Sequence, residues 1–144
     1  MIYLGADHRG FGLKEKLKDF LTGLGYEFED LGAFEYDKDD DYPDFAKAVA
    51  KKVAASPENR GILICGSGIG IAISANKIKG IRAGTILKPK QAEAAVNDED
   101  LNILALAADF LNEGEVREIV KTFLETKFSG EERHKRRVNK IDQL

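Results

Sequence analysis

The sequence predicts an α/β fold, with a five-stranded parallel sheet and helices on both faces, from three observations. Short apolar runs alternate with segments of helical periodicity along the 144 residues. Glycine and aspartate residues close several of these runs, as turns require. The run at 61–64 lacks the polar alternation of a half-exposed strand, so both of its faces are expected to be covered. This pattern is typical of parallel sheets whose crossovers are helices.

The strands and the first helices are predicted from the apolar runs and from the glycine and proline residues that bound them. Strands are predicted at 2–6, 26–30, 61–64, 81–87 and 102–107. A first helix is predicted over 11–24, where five residues recur at helical spacing: Leu13, Leu17, Phe20, Leu21 and Leu24. Gly25 suits its C-cap, and Pro43 suits the first turn of a second helix that reaches residue 55.

Further helices and a basic tail complete a single predicted domain, 1–144. One helix follows a glycine-rich loop to about residue 76, and others are expected at 91–96 and 116–124. The tail, 129–144, is predicted to be a C-terminal helical extension. In a Rossmann-like sheet of this kind, ligands bind at the carboxyl ends of the strands. We expect that edge to carry Asp7, His8, residues 65–70 and the loop 97–100.

Composition and charge argue against several classes of protein. The net charge of −3 gives no general attraction to nucleic acid or to anionic membranes. No apolar run is long enough to span a bilayer, and no basic segment precedes the apolar N-terminal residues as in a signal peptide. The single cysteine fits a reducing cytoplasm. One cysteine and two histidines are too few ligands for a typical structural zinc site. We therefore expect a cytoplasmic protein without a bound metal.

The segment Cys65-Gly-Ser-Gly-Ile-Gly70 is the strongest local signal. Glycines at alternate positions let the backbone approach a ligand and direct several N–H groups into one concavity. The positive end of the following helix favours an anion and the thiolate form of Cys65. A tight turn with an inert, buried cysteine would give the same pattern, and both interpretations stay open. The glycine spacing matches neither a dinucleotide fingerprint nor a P-loop, which argues against a nucleotide-binding domain.

Weaker signals lie outside this loop. Asp7 and His8 follow the first strand, where they could bind a hydroxyl and a phosphate, or merely cap a helix and face solvent. Arg133 and Arg137 share one helix face and could clamp a phosphate, or form a solvated helix end. The acidic stretch 35–41 lacks the spacing of an EF-hand and is expected to be a solvated loop.

Five motifs, spread over nearly the whole chain, have the same residue types and the same order as motifs of one enzyme family. They are Asp7-His8, Asp41-Tyr-Pro-Asp-Phe-Ala46, the segment 61–77 with Gly80-Ile-Arg-Ala83, Asn102-Ile-Leu-Ala105, and Arg133-His-x-x-Arg137. In this order they resemble the type B ribose-5-phosphate isomerases and the related galactose-6-phosphate isomerase subunits. Each motif is moderately specific, and their combination is highly specific.

The resemblance implies an aldose–ketose isomerase that acts on a small sugar phosphate through a cis-enediolate, without metal or cofactor. It implies that Cys65 moves a proton between C1 and C2. Backbone N–H groups of Gly66 to Gly70 would hold the developing oxyanion, and the hydroxyl of Ser67 would assist. Preorganised donors of this kind often supply the largest catalytic contribution.

The same resemblance implies how the substrate is bound. Asp7 and Tyr42 would contact the sugar, and His8 would contact the phosphate. The implied substrate-binding set is Asp7, His8, Tyr42, Gly66, Gly68, Ile69, Gly70, Asn76, Arg133 and Arg137. The two tail arginines would come from a partner subunit of a homodimer or tetramer, with active sites at the subunit interface.

Two acidic residues depart from the family pattern. Asp98 stands where the family has a histidine that opens the furanose ring, and Asp109 stands where an arginine often reaches the substrate. Asp98 could replace the histidine as the ring-opening base, since a carboxylate can accept the proton of the anomeric hydroxyl. The substrate could instead be an acyclic tetrose phosphate, or a different pentose or hexose phosphate. A non-catalytic subunit that binds sugar phosphates is a further alternative.

Overall fold

The structure, a computed structural model, describes all residues from Met1 to Leu144. Five parallel strands form one sheet: β1 (Ile2–Ala6), β2 (Phe28–Asp30), β3 (Arg60–Cys65), β4 (Ala83–Thr85) and β5 (Ile103–Ala107). Their spatial order is β2-β1-β3-β5-β4, so β3 lies at the centre between β1 and β5. The predicted α/β fold with a five-stranded parallel sheet is confirmed.

Six helices surround the sheet. They are α1 (Phe11–Gly23), α2 (Tyr42–Ala54), α3 (Ile69–Ala75), α4 (Pro89–Glu99), α5 (Glu113–Glu125) and α6 (Glu132–Asp142). Pro43 and Pro89 lie in the first turns of α2 and α4, where a missing N–H costs no hydrogen bond. A capping box formed by Asn112 and Glu115 begins α5. No helix combines the length and the apolar character that crossing a membrane would need.

The central strand shows why both faces of the sheet are covered. Ile62 and Ile64 point into a core shared with α1, α4 and α5, whereas Leu63 and Cys65 point into a second core with α2 and α3. Successive side chains of a strand alternate between faces, so an apolar run without polar interruptions supplies both cores. Cys65 therefore ends β3 on the face that α2 and α3 cover.

Two boundaries differ from the prediction in ways that matter for the site. The edge strands β2 and β4 are three residues long, shorter than predicted, and each pairs with one neighbour. Helix α4 continues through Glu99, and residues 100–102 then lead into the start of β5. A segment that enters a parallel strand lies at its amino end. The expectation that the loop 97–100 lies at the carboxyl edge is therefore wrong.

The loops after β1, β3 and β5 meet at the carboxyl edge of the sheet. The Asp7 N–H donates to the carbonyl of Ile64 at 3.3 Å. The N–H groups of Ala108 and Asp109 donate to the carbonyls of Cys65 and Gly66 at 2.9 and 3.0 Å. These bonds continue the sheet pairing past the strand ends and fix the three loops side by side.

Candidate active site

A cavity of about 730 Å³ lies over the carboxyl ends of β1 and β3. Most of the predicted site residues line it: Asp7, His8, Tyr42, Cys65, Gly66, Ser67, Ile69 and Gly70. A slightly larger cavity, about 850 Å³, lies between residues 76–83 and the C-terminal residues, and contains neither a cysteine nor a histidine. The smaller cavity is thus the one that joins a nucleophile to titratable groups.

The glycine loop offers backbone donors beside a thiol. Cys65 is 4% exposed, and its Sγ accepts a hydrogen bond from the Gly68 N–H at 3.2 Å. The Ile69 N–H donates to Ser67 Oγ at 3.2 Å. The N–H groups of Gly66, Ser67 and Gly70 donate to no atom of the chain. Unpaired donors gathered in one loop are suited to an anionic oxygen.

At two positions of the loop, Gly68 and Gly70, neighbouring atoms leave no room for a side chain. Gly68 has φ of +71°, and a Cβ there would lie 3.0 Å from the carbonyl carbon of Leu106. The carbonyl of Gly68 accepts a hydrogen bond from Thr85 Oγ1 at 2.6 Å, which ties the loop to β4. A Cβ on Gly70 would lie 2.6 Å from the ring of Tyr42, so this ring packs directly against the loop. The glycines thus admit neighbours that hold the loop in place.

Asp7 begins the turn after β1 and is 3% exposed. Its Oδ1 accepts from the N–H groups of Arg9 and Gly10 at 3.0 and 3.1 Å. Burial raises the pKa of Asp7, although these two hydrogen bonds act in the opposite direction. Asp7 therefore shapes the turn into α1, as in the simpler interpretation, and also lines the cavity.

His8 is held by Asp40, which sequence reasoning missed. Asp40 Oδ1 accepts from both the backbone N–H and Nδ1 of His8, at 2.9 and 2.7 Å. The hydrogen bond to Asp40 raises the pKa of His8 above its ordinary value. With Nδ1 engaged by Asp40, Nε2 is the ring nitrogen left for a ligand.

The expectation that the whole stretch 35–41 is a solvated loop is wrong at Asp40. Its side chain is 10% exposed, and its Oδ2 has no hydrogen-bond partner. Just before this stretch the chain is fixed to α1, where Lys14 is fully buried and binds both oxygens of Asp30 and the carbonyl of Ala33. Sequence spacing carries no signal of this long-range pairing.

Arg9 and Asp109 form an ion pair at the cavity wall. A Cβ on Gly66 would lie 2.7 Å from Arg9 Nε and 2.8 Å from Asp109 Oδ2, so the pair packs against the glycine loop. The sequence motifs place Asp109 where an arginine often reaches the substrate, and they do not single out Arg9. The carboxylate is instead opposed by a guanidinium.

Four predicted site residues lie away from this cavity in the same chain. The amide of Asn76 bonds the backbone N–H and carbonyl of Ala83 at 2.8 and 2.9 Å, which joins α3 to β4. Asp98 Oδ1 lies 3.6 Å from His134 Nε2, beside α6. Arg133 and Arg137 are exposed on α6, while His134 and Val138 on the same helix are buried. The structure thus places these residues toward the amino edge of the sheet, whereas Cys65 lies at the carboxyl end of β3.

Asp7, His8 and Asp40 are the one cluster whose possible metal-ligating atoms lie within 4.8 Å of one another. His8 Nδ1 and Asp40 Oδ1 are bound to each other, so two of the three ligands serve a hydrogen bond. The arrangement fits an oriented imidazole better than a coordination site. Together the cavity holds a thiol, free backbone donors, a carboxylate and a histidine, which suits proton transfer on a bound anion.

Comparisons with known proteins find relatives over almost the full length of the chain. The family model for ribose/galactose isomerases matches residues 2–141. The crystal structure of a ribose 5-phosphate isomerase from Thermotoga maritima is 42% identical, with a TM-score of 0.94 over 99% of this chain and 97% of that chain. Ribose-5-phosphate isomerase B from Mycoplasma genitalium, solved with bound ribulose-5-phosphate, is 39% identical, with a TM-score of 0.95 over 99% of this chain and 93% of that chain.

A relative from Mycobacterium tuberculosis, ribose-5-phosphate isomerase B, is 37% identical over 138 residues, which are 96% of this chain and 85% of the relative. The resemblance that the five motifs implied is therefore confirmed over almost the full length. The chain belongs to the ribose/galactose isomerase family.

Proposed function

We propose that this protein is an aldose–ketose isomerase that interconverts ribose 5-phosphate and ribulose 5-phosphate. The observation that carries the proposal is the cavity in which the Cys65 thiol adjoins a loop with three unpaired N–H donors. The Mycoplasma genitalium relative, with ribulose-5-phosphate bound, supports the choice of a pentose phosphate. The same fold over nearly the full length supports a shared reaction.

Cys65 acts as the base that moves a proton between C1 and C2 of the open-chain sugar. Abstraction from the carbon next to the carbonyl gives a cis-enediolate. Return of the proton to the other carbon, with transfer of the hydroxyl proton from one oxygen to the other, gives the isomer. The negative charge grows on an oxygen next to the reacting carbons. The N–H groups of Gly66, Ser67 and Gly70 are free to bind that oxygen, and the Ser67 hydroxyl adds a donor. This chemistry needs no cofactor.

The remaining cavity residues bind the substrate. Asp7 accepts a hydrogen bond from a sugar hydroxyl, and Tyr42, seated on Gly70, contacts the sugar beside the loop. His8 binds the phosphate through Nε2, because Asp40 holds Nδ1 and favours the protonated ring. Protonated imidazole and phosphate form a charge-assisted hydrogen bond.

Asp98 and the tail arginines act on the substrate of a partner subunit in a homodimer or tetramer. In support, Asp98 lies beside His134, and Arg133 and Arg137 are exposed on the same helix, far from the chain's own Cys65. Apolar side chains also stand exposed at the rim of the cavity: Ile69, Ile73 and Phe110. A second subunit would cover this rim and supply the missing cations. Asp98 would then be the ring-opening base.

The reaction is tested with purified protein and ribose 5-phosphate in deuterated water. We expect ribulose 5-phosphate to form, with deuterium at C1 or C2 in the NMR spectrum. Cys65→Ala should lower kcat by at least about 10²-fold, the low end for removal of a general base. Erythrose 4-phosphate and an aldohexose 6-phosphate, tried in parallel, test the substrate class. A Cys65→Ala variant with normal turnover would refute the proposed base, and binding without isomerisation would indicate a non-catalytic subunit.

The composite site is tested by mixing two inactive variants. Cys65→Ala lacks the base, and Arg137→Ala lacks a tail cation. After dissociation and reassociation together, a mixed oligomer would contain some sites with both residues intact. Recovery of activity above that of either variant supports a shared site, and no recovery despite verified subunit exchange counts against it.

A compartment that keeps Cys65 reduced is part of the proposal. The base works as a thiolate, and thiols persist in the cytoplasm rather than in oxidising compartments. We therefore propose a cytoplasmic enzyme. Location by fluorescence microscopy of the tagged full chain tests this statement.

A further inference from the structure

The Arg9–Asp109 pair is a feature of the cavity to which the proposed chemistry gives no role. Arg9 follows β1 and Asp109 follows β5, so their side chains meet across the loop that follows the central strand β3. The close approach of both side chains to Gly66 shows that the pair packs directly on this loop. The guanidinium is therefore held beside the residue that adjoins Cys65.

The cavity contains few cations for a ligand that is an anion. Its acidic side chains are Asp7, Asp40, Asp41 and Asp109. Arg9 and His8 are the only basic side chains in its lining, and Arg9 is the only one that is charged at every pH of interest. A phosphate monoester carries a charge of about −1.5 to −2 at neutral pH. Within one subunit, Arg9 is the permanent cation that such a group would meet.

Arg9 also has donors that are not in use. A guanidinium carries five N–H groups, and the side chain of Arg9 makes a single hydrogen bond, to Asp109. The side chain is 57% exposed, so the other N–H groups are open to a ligand. The planar fork of arginine matches two phosphate oxygens, and an arginine already held by a carboxylate loses less freedom on binding.

The tail arginines do not fill this role in their own subunit. Arg133 pairs with Glu131 on the tail, and neither it nor Arg137 borders the cavity. Any contribution from them comes across a subunit boundary. Arg9 reaches the cavity without a partner subunit, because the turn after β1 places it at the wall of its own cavity.

We infer that Arg9 binds the phosphate group of the substrate within its own subunit, and that Asp109 is a positioning residue that holds the guanidinium against Gly66. The inference rests on the proposed function for the identity of the substrate. It also changes the meaning of Asp109, since a carboxylate that fixes an arginine assists phosphate binding instead of opposing it.

The first experiment uses inorganic phosphate and requires no turnover. Phosphate is titrated into ¹⁵N-labelled protein, and the backbone amide shift of Gly66 gives Kd. Arg9→Gln should raise Kd at least about tenfold, as expected for the loss of a charged hydrogen bond. Arg9→Lys should give an intermediate value, because the charge remains but the fork is lost. Arg117→Gln is the matched control, an exposed arginine paired with Glu113 on α5, and should leave Kd unchanged.

Asp109→Asn separates positioning from repulsion by the sign of its effect. If Asp109 holds Arg9, Kd for phosphate rises, and Asp109→Asn adds little to the effect of Arg9→Gln in the double variant. If Asp109 merely repels the anion, Kd falls, and the inference is overturned. An unchanged Kd in Arg9→Gln overturns it as well.

Steady-state kinetics with ribose 5-phosphate complete the test. Arg9→Gln should raise KM by about the same factor as Kd, with kcat changed much less, because binding is lost and the base remains. Normal isomerisation with an unchanged KM in Arg9→Gln would overturn this inference and leave the proposed function standing. No isomerisation by the wild type, with phosphate binding that depends on Arg9, would overturn the proposed function and leave the phosphate site.

Discussion

The two edges of the sheet use similar side chains in opposite ways. At the amino edge, the Arg82 side chain donates to the carbonyls of Glu99 and Asp100 and to the carboxylates of Asp100 and Asp142. At the carboxyl edge, the Arg9 side chain makes one hydrogen bond. One arginine has its donors satisfied by the chain, and the other has donors to spare.

The same contrast extends to the neighbouring polar groups. Asn102 at the amino edge receives a hydrogen bond from the Arg82 N–H and donates one to the carbonyl of Gly80, at 2.8 and 2.9 Å. Three N–H groups of the glycine loop and the Oδ2 of Asp40 lack partners at the carboxyl edge. Buried polar groups are almost always paired, so the buried, unpaired Oδ2 of Asp40 marks this edge as the one that is open to a ligand. The N–H groups of Gly66, Ser67 and Gly70 add donors that the chain leaves free.

The largest expected effect is on stability, and it comes from Lys14, whose contacts fix the chain after β2 at the carboxyl edge. Lys14 is fully buried and binds Asp30 at 2.6 and 2.7 Å and the Ala33 carbonyl at 2.6 Å. Lys14→Met removes the buried partner of the Asp30 carboxylate, which keeps only the more exposed Lys18 at 3.0 Å and the Gly32 N–H. The free energy of unfolding should fall by about 3 kcal/mol, the low end for breaking a buried ion pair. Lys16→Met, at an exposed lysine of the same helix, is the control and should change it little. Urea unfolding measures both, and equal losses would contradict the prediction.

The pH dependence of that loss has a defined sign. Burial acts to raise the pKa of Asp30, but Lys14, the Gly32 N–H and Lys18 outweigh it, so the pKa is lowered. Stability from the ionised carboxylate is present above the unfolded-state pKa of about 3.9 and is lost as the pH falls through the folded-state value. The difference in stability between wild type and Lys14→Met should therefore shrink as the pH falls below about 4, the ordinary range of an aspartate.

A pair of glycine substitutions compares the edges directly. Gly68 in the active-site loop and Gly80 before β4 both have positive φ, +71° and +87°. A Cβ on Gly80 would meet nothing closer than Ala54 Cβ at 4.0 Å, whereas one on Gly68 would lie 2.8 Å from Thr85 Cγ2 and 3.0–3.1 Å from backbone. Gly80→Ala should cost about 1–2 kcal/mol of stability, the strain of the left-handed conformation, and leave kcat unchanged.

Gly68→Ala should cost more, and it should also lower kcat. The added contacts displace the loop, and with it the Gly68 N–H that donates to Cys65 Sγ. Thermal unfolding and steady-state kinetics on both variants are the measurements. Equal stability losses, or an equal fall in kcat, would mean that the two edges do not differ in the way described.

The sequence predicts the elements better than the contacts between them. Periodicity locates all five strands and the helices between them, because it reflects which residues each element buries. It does not fix strand order, on which the contact between Arg9 and Asp109 depends, and the connection before β5 is predicted at the wrong edge. Arg9 reaches Asp109 because β1 and β5 flank β3. Asp98 lies beside the tail because its segment enters β5 at the amino edge.

Local composition also misleads at two buried charges. Lys14 reads as the polar face of an amphipathic helix, and Asp40 as part of a solvated acidic stretch, because isolated charges are rarely buried. Each is buried by a partner distant in sequence, Asp30 and His8 respectively. Motif order, by contrast, predicts the cavity well, since Asp7, His8, Tyr42 and the glycine loop do converge.

The smallest expected effect is on the pKa of a histidine. The two histidines differ in the same way as the two edges, because His134 has a neighbour at both ring nitrogens and His8 at one. His134 is buried near the amino edge, with Nδ1 bound to Ser129 Oγ at 2.6 Å and Nε2 beside Asp98. His8 lines the cavity and has Asp40 on Nδ1 only. Its hydrogen bond to Asp40 raises its pKa, with further favourable charge from Asp7 and an opposing effect of Arg9.

Asp40→Asn should lower the pKa of His8 toward the ordinary value of about 6.5. The favourable interaction in the wild type is fully present below that value and disappears as the pH rises through the raised pKa of folded His8. NMR titration of the imidazole protons, assigned with His8→Gln, measures the shift. If protonated His8 binds phosphate, the alkaline rise of KM for ribose 5-phosphate should move to lower pH in Asp40→Asn. A shifted pKa with an unmoved KM profile would leave Asp40 as a support of the loop and assign phosphate binding to the arginines alone.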